Sequence, residues 1–271
     1  MTVLIGCSGW AYGDWAGRFY PLDVARRKEE WLRYYASFFD TVEINTTFDR
    51  EPNEYLINGW VSRGKTLKTF DYSITLPSKI FKDADRALQF EEWCLHTLNE
   101  GGVLGSAVIQ TPPDYQNNLS NRENMRGILD LLDTEKYSYI VEFRNPSWFD
   151  ENGLLKSSKE LLDDYNVGCI ISDEFSLPMD CRGDNVYIRL RGKGRSENPS
   201  DNQHQYSDSE LAWLKGMLDD AAKNCKQIRV YFENSATARS VYDALRLMDI
   251  MQIPHRVKEM KDAEAPRIIA K

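Results

Sequence analysis

Histidine is scarce in this sequence and cysteine is scattered, which argues against a transition-metal or disulfide-stapled protein. The 271 residues include only His96, His204 and His255, and the five cysteines form no C-x-x-C pair. Zinc and iron sites need closely spaced ligands of these types, so the sequence predicts no metal site and no cofactor, with only a carboxylate-bound Mg²⁺ left open. Scattered cysteines indicate reduced thiols and a cytoplasmic location.

Long apolar runs and an excess of basic charge are also missing. No stretch is long and apolar enough to span a bilayer, so we expect no membrane partner. Lysine and arginine number 34 against 42 acidic residues, which leaves a net charge of −8. An acidic chain is poorly suited to non-specific binding of nucleic acid, although a local basic pocket would still be compatible with this charge.

Eight strand-like segments alternate with helical periodicities along the chain. They lie at 3–10, 41–48, 70–77, 104–111, 137–141, 167–173, 185–190 and 227–232. Strands alternating with helices in about 250 residues are typical of a TIM-type (β/α)8 barrel, here predicted as one domain over residues 1–271. Only residues 175–184 join strands six and seven, which is short for a parallel crossover, so we expect the barrel to be somewhat irregular there.

The exit of the fifth strand carries the first indication of a site. Glu142 and Arg144 lie on one face because strand side chains alternate, and Trp148 follows the strand-ending Pro146. Functional residues of such barrels gather at the carboxyl ends of the strands. Charged or amide residues follow nearly every strand here, including Glu43, Asn45, Lys79, Gln110, Glu142, Arg144, Asp173, Glu174, Arg189, Arg191, Glu233 and Asn234. The opposite strand ends are mostly apolar or neutral. The pattern predicts a polar pocket.

A dense aromatic loop follows the first strand. It contains Trp10, Tyr12, Trp15, Phe19 and Tyr20, with glycines between them. Such a loop can cap the core, or it can stack against a flat ligand such as a sugar or a base.

Three interpretations of these residues remain open. In the first, Glu43 and Glu142 are the catalytic acid and base of a metal-independent hydrolase or isomerase that acts on a small polyhydroxy or phosphorylated ligand. The ligand-binding residues would then be Trp10, Tyr12, Asn45, Lys79, Gln110, Arg144, Trp148, Arg189, Arg191 and Asn234. Arg144 and Arg189 would clamp an anion, and Trp10 and Trp148 would be stacking walls. The second is a non-catalytic barrel that binds a ligand or a nucleic-acid end. The third is a structural network of buried ion pairs.

The segment Lys193–Tyr206 is polar, rich in serine and asparagine, and shows no periodicity. Lys193 and Arg195 lie directly beyond Arg191, and loops after the seventh strand of such barrels often bind phosphate. We therefore predict a mobile lid that orders over an anionic ligand, with a plain solvated loop as the alternative.

Several motifs together resemble one family. They are Gly6-Cys7-Ser8-Gly9-Trp10 with Trp15 and Phe19-Tyr20-Pro21, Glu43-Ile44-Asn45-Thr46-Thr47-Phe48, Gln110-Thr111-Pro112-Pro113, Glu142-Phe143-Arg144-Asn145-Pro146-Ser147-Trp148-Phe149, and Tyr187-Ile188-Arg189-Leu190-Arg191-Gly192. The chain resembles the YecE-like family, a domain of unknown function (number seventy-two). The resemblance implies a TIM-type barrel and brings no established reaction.

The chain departs from this family pattern in three places. Asp49 stands where the family usually has tyrosine, Arg191 where it has histidine, and Glu233 where it has asparagine. The resemblance therefore implies that a stacking group and a proton carrier are absent from this chain.

Overall fold

The computed structural model describes residues 1–67, 69–174, 185–192 and 204–255. Its centre is a sheet of eight parallel strands: β1 Thr2–Cys7, β2 Thr41–Ile44, β3 Asp71–Thr75, β4 Leu104–Gln110, β5 Tyr139–Glu142, β6 Gly168–Ser172, β7 Asn185–Leu190 and β8 Gln227–Phe232. Each strand pairs with the next in the chain, β8 pairs with β1, and a single bridge between Ser8 and Glu43 joins β1 to β2. This nearly closed ring confirms the predicted TIM-type barrel.

Helices surround the strands. They are α1 Leu22–Ala25, α2 Trp31–Tyr35, α3 Glu54–Lys65, α4 Asp85–Phe90, α5 His96–Glu100, α6 Leu119–Leu129, α7 Lys156–Asp163, α8 Asp208–Ala221 and α9 Arg239–Ile250. A π-helical turn, Glu91–Leu95, joins α4 to α5, and a two-stranded hairpin pairs Phe149–Asp150 with Gly153–Leu154. Side-chain caps start several helices; at α8, Ser207 and Glu210 form a capping box. Within the described ranges, none of the helices has the length and hydrophobicity needed to cross a bilayer.

The second strand is shorter than the sequence pattern predicted. It ends at Ile44, and residues Thr46–Phe48 form a 3₁₀ turn. The Thr47 hydroxyl donates to the carbonyl of Thr75 at 2.5 Å, which ties this turn to the end of β3. Asn45 therefore lies on a turn at the rim of the barrel instead of continuing the alternation of the strand.

The barrel interior has an apolar middle layer between two polar ends. Val108, Ile140, Ile170, Tyr187 and Tyr231 form one buried group. Because these side chains come from strand positions that face inward, the residues two positions later along the same strands also face inward, at the carboxyl end. This alternation directs Gln110, Glu142, Arg189 and Glu233 toward one another.

The other end of the barrel corrects a prediction, because it is charged. Arg229 forms a bidentate ion pair with Asp71, with nitrogen–oxygen distances of 2.8 and 2.7 Å. The pair is anchored by Thr41, whose hydroxyl donates to Asp71 at 2.7 Å. The opposite strand ends were expected to be apolar or neutral, but an inward-facing arginine at this depth requires a buried carboxylate partner.

The aromatic loop after β1 is divided between two environments. Trp15, Phe19 and Tyr20 are buried, and the Trp15 indole N–H donates to the carbonyl of Ser235 at 2.8 Å. Trp10 and Tyr12 are only partly buried. The loop therefore caps the core with one part and leaves two aromatic rings at the rim.

The predicted irregularity between strands six and seven falls on residues 175–184, which lie outside the described residues. On either side of this gap, β6 and β7 are direct parallel neighbours, with Ile170 opposite Tyr187.

Candidate functional site

Arg189 lies at the centre of a charged cluster at the carboxyl end of the barrel. Its guanidinium group is 1% exposed. Nη2 lies 2.7 Å from Glu43 Oε2, and Nη1 lies 2.5 Å from Glu142 Oε2 and 2.8 Å from Gln110 Oε1. Burial by itself would lower the pKa of Arg189, but the carboxylates of Glu142 and Glu43 raise it well above its ordinary value. Arg189 therefore stays charged and links Glu43 at the end of β2 to Glu142 at the end of β5.

Arg191 extends this cluster on the same strand. Its Nη2 lies 2.6 Å from Glu142 Oε1, its Nε lies 3.0 Å from Glu233 Oε2, and its Nη1 lies 3.2 Å from Glu174 Oε2. Burial acts to lower the pKa of Arg191, and Glu142 and Glu233 raise it. We call Glu43, Gln110, Glu142, Glu233, Arg189 and Arg191 the charged cluster.

The carboxylate of Glu43 receives hydrogen bonds on both oxygens. Oε1 accepts from the Ser8 hydroxyl at 2.6 Å, and Oε2 accepts from the Tyr187 hydroxyl and from Arg189. Burial and the nearby Glu43 charge raise the pKa of Tyr187 well above its ordinary value, so the phenol stays protonated and donates a hydrogen bond to Glu43. Every described partner of Glu43 is a hydrogen-bond donor.

Acidic groups outnumber basic ones around the cluster. Asp173 lies just beyond β6, where its oxygens accept from the backbone N–H groups of Arg191 and Gly192 and from the Tyr206 hydroxyl. Within the cluster itself, the two guanidinium groups face three glutamates. Because their donors are largely committed to these carboxylates, the cluster is better suited to accept hydrogen bonds from ligand hydroxyls than to bind another anion.

An aromatic cavity of about 410 Å³ opens beside the cluster, between the exits of β1 and β2. It is lined by residues 9–12, 44–47, 50–52, 56 and 60. Trp10, Tyr12 and Trp60 supply its aromatic surface. The cavity begins one residue beyond Ser8 and Glu43, and the Tyr12 hydroxyl donates to the Ser8 carbonyl at 2.6 Å. The wall of the cavity is therefore attached to the cluster through the backbone of β1.

Three polar side chains of this cavity have no partner within the described protein. In the part of the chain that the structure describes, the side chains of Asn45 and Arg50 have no hydrogen-bond or ion-pair partner, and the Trp10 indole N–H has none. A half-exposed cavity with aromatic walls and a few unpaired donors matches the usual composition of small-molecule sites.

The remaining predicted site residues lie in different surroundings. Lys79 is 59% exposed and lies 3.4 Å from Glu51, at the rim of the aromatic cavity. Asn234 is fully buried, and its amide donates to Asp243 and to the His204 carbonyl, both at 2.8 Å. Arg144 is half-buried, and its backbone N–H donates to the Thr111 hydroxyl at 3.0 Å.

Trp148 does not form the expected stacking wall, and this expectation is corrected. Its indole is fully buried and lies on Phe143, with ring centres 4.0 Å apart and 14° between the planes. Tyr115 stacks with it at 6.0 Å, and the indole N–H donates to the Tyr115 carbonyl at 2.7 Å. Because its ring is packed into the core in this way, Trp148 has no open face for a ligand.

Sequence reasoning missed Ser8, Tyr187, Arg50 and Trp60. Tyr187 could have been found, because it is two residues before Arg189 on the same strand and must share its face. Arg50 and Trp60 gave no such signal, since they belong to a turn and to α3. The predicted lid falls mostly on residues 193–203, outside the described part of the chain, so the roles of Lys193 and Arg195 stay predictions.

Among the described residues, there is no group of three or more histidine, cysteine or carboxylate side chains that could hold a metal ion.

Comparison with known proteins identifies the family. The family model described as a protein of unknown function, DUF72, matches residues 4–268. No curated protein matches the chain. A crystal structure of a DUF72 family protein from Thermotoga maritima is 21% identical, with a TM-score of 0.79 over 93% of this chain and 100% of that one. Another, from Enterococcus faecalis, is 17% identical, with a TM-score of 0.76 over 93% and 96%. At these low identities, the structural similarity shows a common fold and gives no information about function. By its family match, which confirms the resemblance drawn from the motifs, this chain belongs to the DUF72 family.

Proposed function

We propose that this protein binds a small polyhydroxy ligand, such as a monosaccharide, at the carboxyl ends of its barrel strands. The observation that carries the proposal is the aromatic cavity with its uncommitted Asn45 amide and Trp10 indole N–H, beside the charged cluster. Its volume of about 410 Å³ lies within the range of small-molecule sites, roughly 300–1,000 Å³.

The chemistry of the walls favours a sugar-like ligand. The apolar C–H face of a sugar ring packs on an aromatic surface such as that of Trp10 or Tyr12, while amide and carboxylate groups exchange hydrogen bonds with its hydroxyls. Ser8 and Glu43 are fully buried directly before the cavity-lining Gly9 and Ile44, and their 2.6 Å hydrogen bond fixes the strand ends that lead into the cavity wall. A ligand would therefore meet a preorganised surface, which reduces the entropy lost on binding.

Binding of a panel of monosaccharides, polyols and short single-stranded oligonucleotides, followed by calorimetry, tests this proposal. The oligonucleotides cover the alternative ligand, a nucleic-acid end. We expect a sugar or polyol to bind the wild type and the Trp10→Ala variant to bind it about threefold to tenfold more weakly, since an aromatic contact contributes roughly 0.5–1.5 kcal/mol beyond area burial.

Trp213→Ala is the matched control. Trp213 is 56% exposed and lines a different cavity of about 390 Å³ between β7 and α8. Its loss should leave sugar affinity unchanged. If no sugar or polyol binds, or if Trp213→Ala weakens binding as much as Trp10→Ala, the proposal is refuted.

Catalysis is a second candidate, favoured by the pairing of Glu43 and Glu142 on one guanidinium group. A substrate hydroxyl that displaces Arg189 from either carboxylate would expose a base next to a second acidic group, as a hydrolase or isomerase needs. A wild type that converts the bound sugar, together with a Glu142→Gln variant that binds it without turnover, would support an enzyme. If the ligand is unaltered after prolonged incubation with the wild type, the protein binds the sugar without converting it.

A further inference from the structure

We infer that the aromatic cavity selects ligands that carry an oxyanion, a phosphate or a carboxylate, and that Arg50 binds this group. The inference rests on the proposed function and specifies its ligand class. It concerns a residue that the strand pattern did not mark, because Arg50 follows the 3₁₀ turn after β2 and belongs to no strand exit.

Arg50 differs from the three buried arginines of the barrel in the state of its donors. Arg189, Arg191 and Arg229 each have a carboxylate within 3.0 Å of the guanidinium group. Arg50 lines the cavity, and its guanidinium group has no ion-pair or hydrogen-bond partner in the described ranges. A guanidinium group has five N–H donors in a planar fork that matches a carboxylate or a phosphate.

The neighbouring carboxylate does not neutralise Arg50. Glu51 also lines the cavity, but its Oε1 lies 3.4 Å from Lys79 Nζ and 3.6 Å from Arg86 Nη1. Glu51 is thus balanced by two other cations at the rim. Because the Glu51 carboxylate is paired with Lys79 and Arg86, the guanidinium group of Arg50 remains available to a ligand.

The charged cluster is a poor alternative site for the oxyanion. Its guanidinium groups are occupied by Glu43, Glu142 and Glu233, and its excess of carboxylates repels an anion. A ligand with hydroxyls at one end and an oxyanion at the other would therefore place its hydroxyls toward the Asn45 amide and the Trp10 indole N–H, and its anion toward Arg50 at the solvent-exposed rim.

Calorimetric titration with glucose, glucose 6-phosphate, glucuronate and inorganic phosphate tests the inference. We expect at least one of the two anionic sugars to bind the wild type roughly tenfold or more tightly than glucose, as expected for one charge-assisted contact. The two anionic sugars distinguish a phosphate from a carboxylate preference. The advantage should shrink between about 50 and 500 mM salt, because Arg50 is exposed and its charge is screened.

Arg50→Gln should abolish the affinity advantage of the anionic sugar over glucose. Arg86→Gln is the matched control, because it removes a nearby charge that pairs with Glu51 and Asp83 and does not line the cavity. The thermal midpoint of each variant confirms folding, since both side chains are exposed or partly exposed.

The outcomes separate the two proposals. Equal affinity for glucose and both anionic sugars, or an advantage that survives in Arg50→Gln, overturns the role of Arg50 and leaves the proposed sugar site standing. An anionic preference that Arg86→Gln removes equally would indicate a general electrostatic field and also overturns it. If no sugar or polyol binds, either here or in the wider panel, the proposed function is refuted, and the inference with it.

Discussion

Replacing Arg189 by methionine should be among the most destabilising single substitutions in this barrel. The change removes a guanidinium group that is 1% exposed and contacts Glu43, Glu142 and Gln110. Glu43 would keep its bonds from Ser8 and Tyr187, and Glu142 its bond from Arg191, but both carboxylates would lose a buried counter-charge. Breaking a buried ion pair by removing one partner costs about 3–5 kcal/mol.

The expected loss is large compared with the stability of a folded protein. Domains typically unfold with about 5–15 kcal/mol, so Arg189→Met should lower the urea midpoint strongly or prevent folding. Arg126→Met is the matched control. Arg126 is 41% exposed and lies 3.9 Å from Glu123, and such surface pairs contribute about 0–1 kcal/mol. A loss for Arg189→Met no greater than that for Arg126→Met would refute the reasoning.

A triple variant keeps the prediction testable if the single variant does not fold. Glu43→Gln, Glu142→Gln and Arg189→Met together remove Arg189 and the two carboxylates that it pairs with, at nearly constant volume, while Arg191 keeps its ion pairs with Glu233 and Glu174. Replacing a buried ion-pair group as a whole costs far less than removing one partner. We expect the triple variant to recover most of the lost free energy of unfolding. Stability at or above the wild-type level would mean that the charged cluster does not stabilise the fold, which favours a role in ligand binding. A triple variant as unstable as Arg189→Met would indicate a structural network.

Three further changes test other parts of the structure. Burial raises the pKa of the Cys7 thiol from its usual 9.0 to about 12, so the folded protein binds the proton more tightly and loses stability as the pH rises through this range. Urea midpoints at about pH 8 and about pH 10.5 should show a steeper loss of stability for the wild type than for Cys7→Ala, by up to about 1.4 kcal/mol per pH unit. Parallel losses in the two proteins would contradict this prediction. Trp148→Ala should cost about 3–5 kcal/mol because the indole is fully buried, against about 0.5 kcal/mol or less for the half-exposed Trp213→Ala, measured by urea unfolding; similar losses would place Trp148 outside the core. Gly192→Ala should destabilise by more than about 1 kcal/mol, because Gly192 has a φ of +79° and a Cβ would lie 2.5 Å from the Cβ of His204; a midpoint equal to that of the wild type would show that the turn adapts.

The sequence by itself determined the barrel and the charged residues at the carboxyl ends of its strands, but it missed the charged pair at the opposite end. The eight apolar segments alternate with amphipathic helices, and this periodicity is local, so it could be seen without any knowledge of contacts. The sequence pattern also placed Glu142, Arg189 and Glu233 at strand exits, and the structure has these side chains in one cluster with Arg191. The exits could be located because the end of an apolar run is a local feature of the sequence.

The tertiary structure decided which of these side chains are available. Glu142 can meet Arg189 or Arg191 only through the register of strands far apart in the chain, and the structure shows that it contacts both. Trp148 follows a strand exit, as Trp10 does, yet Phe143 and Tyr115 bury it while Trp10 stays at the rim. Availability depends on packing between distant segments and on the conformation of turns such as Thr46–Phe48, and neither leaves a periodic signature in the sequence.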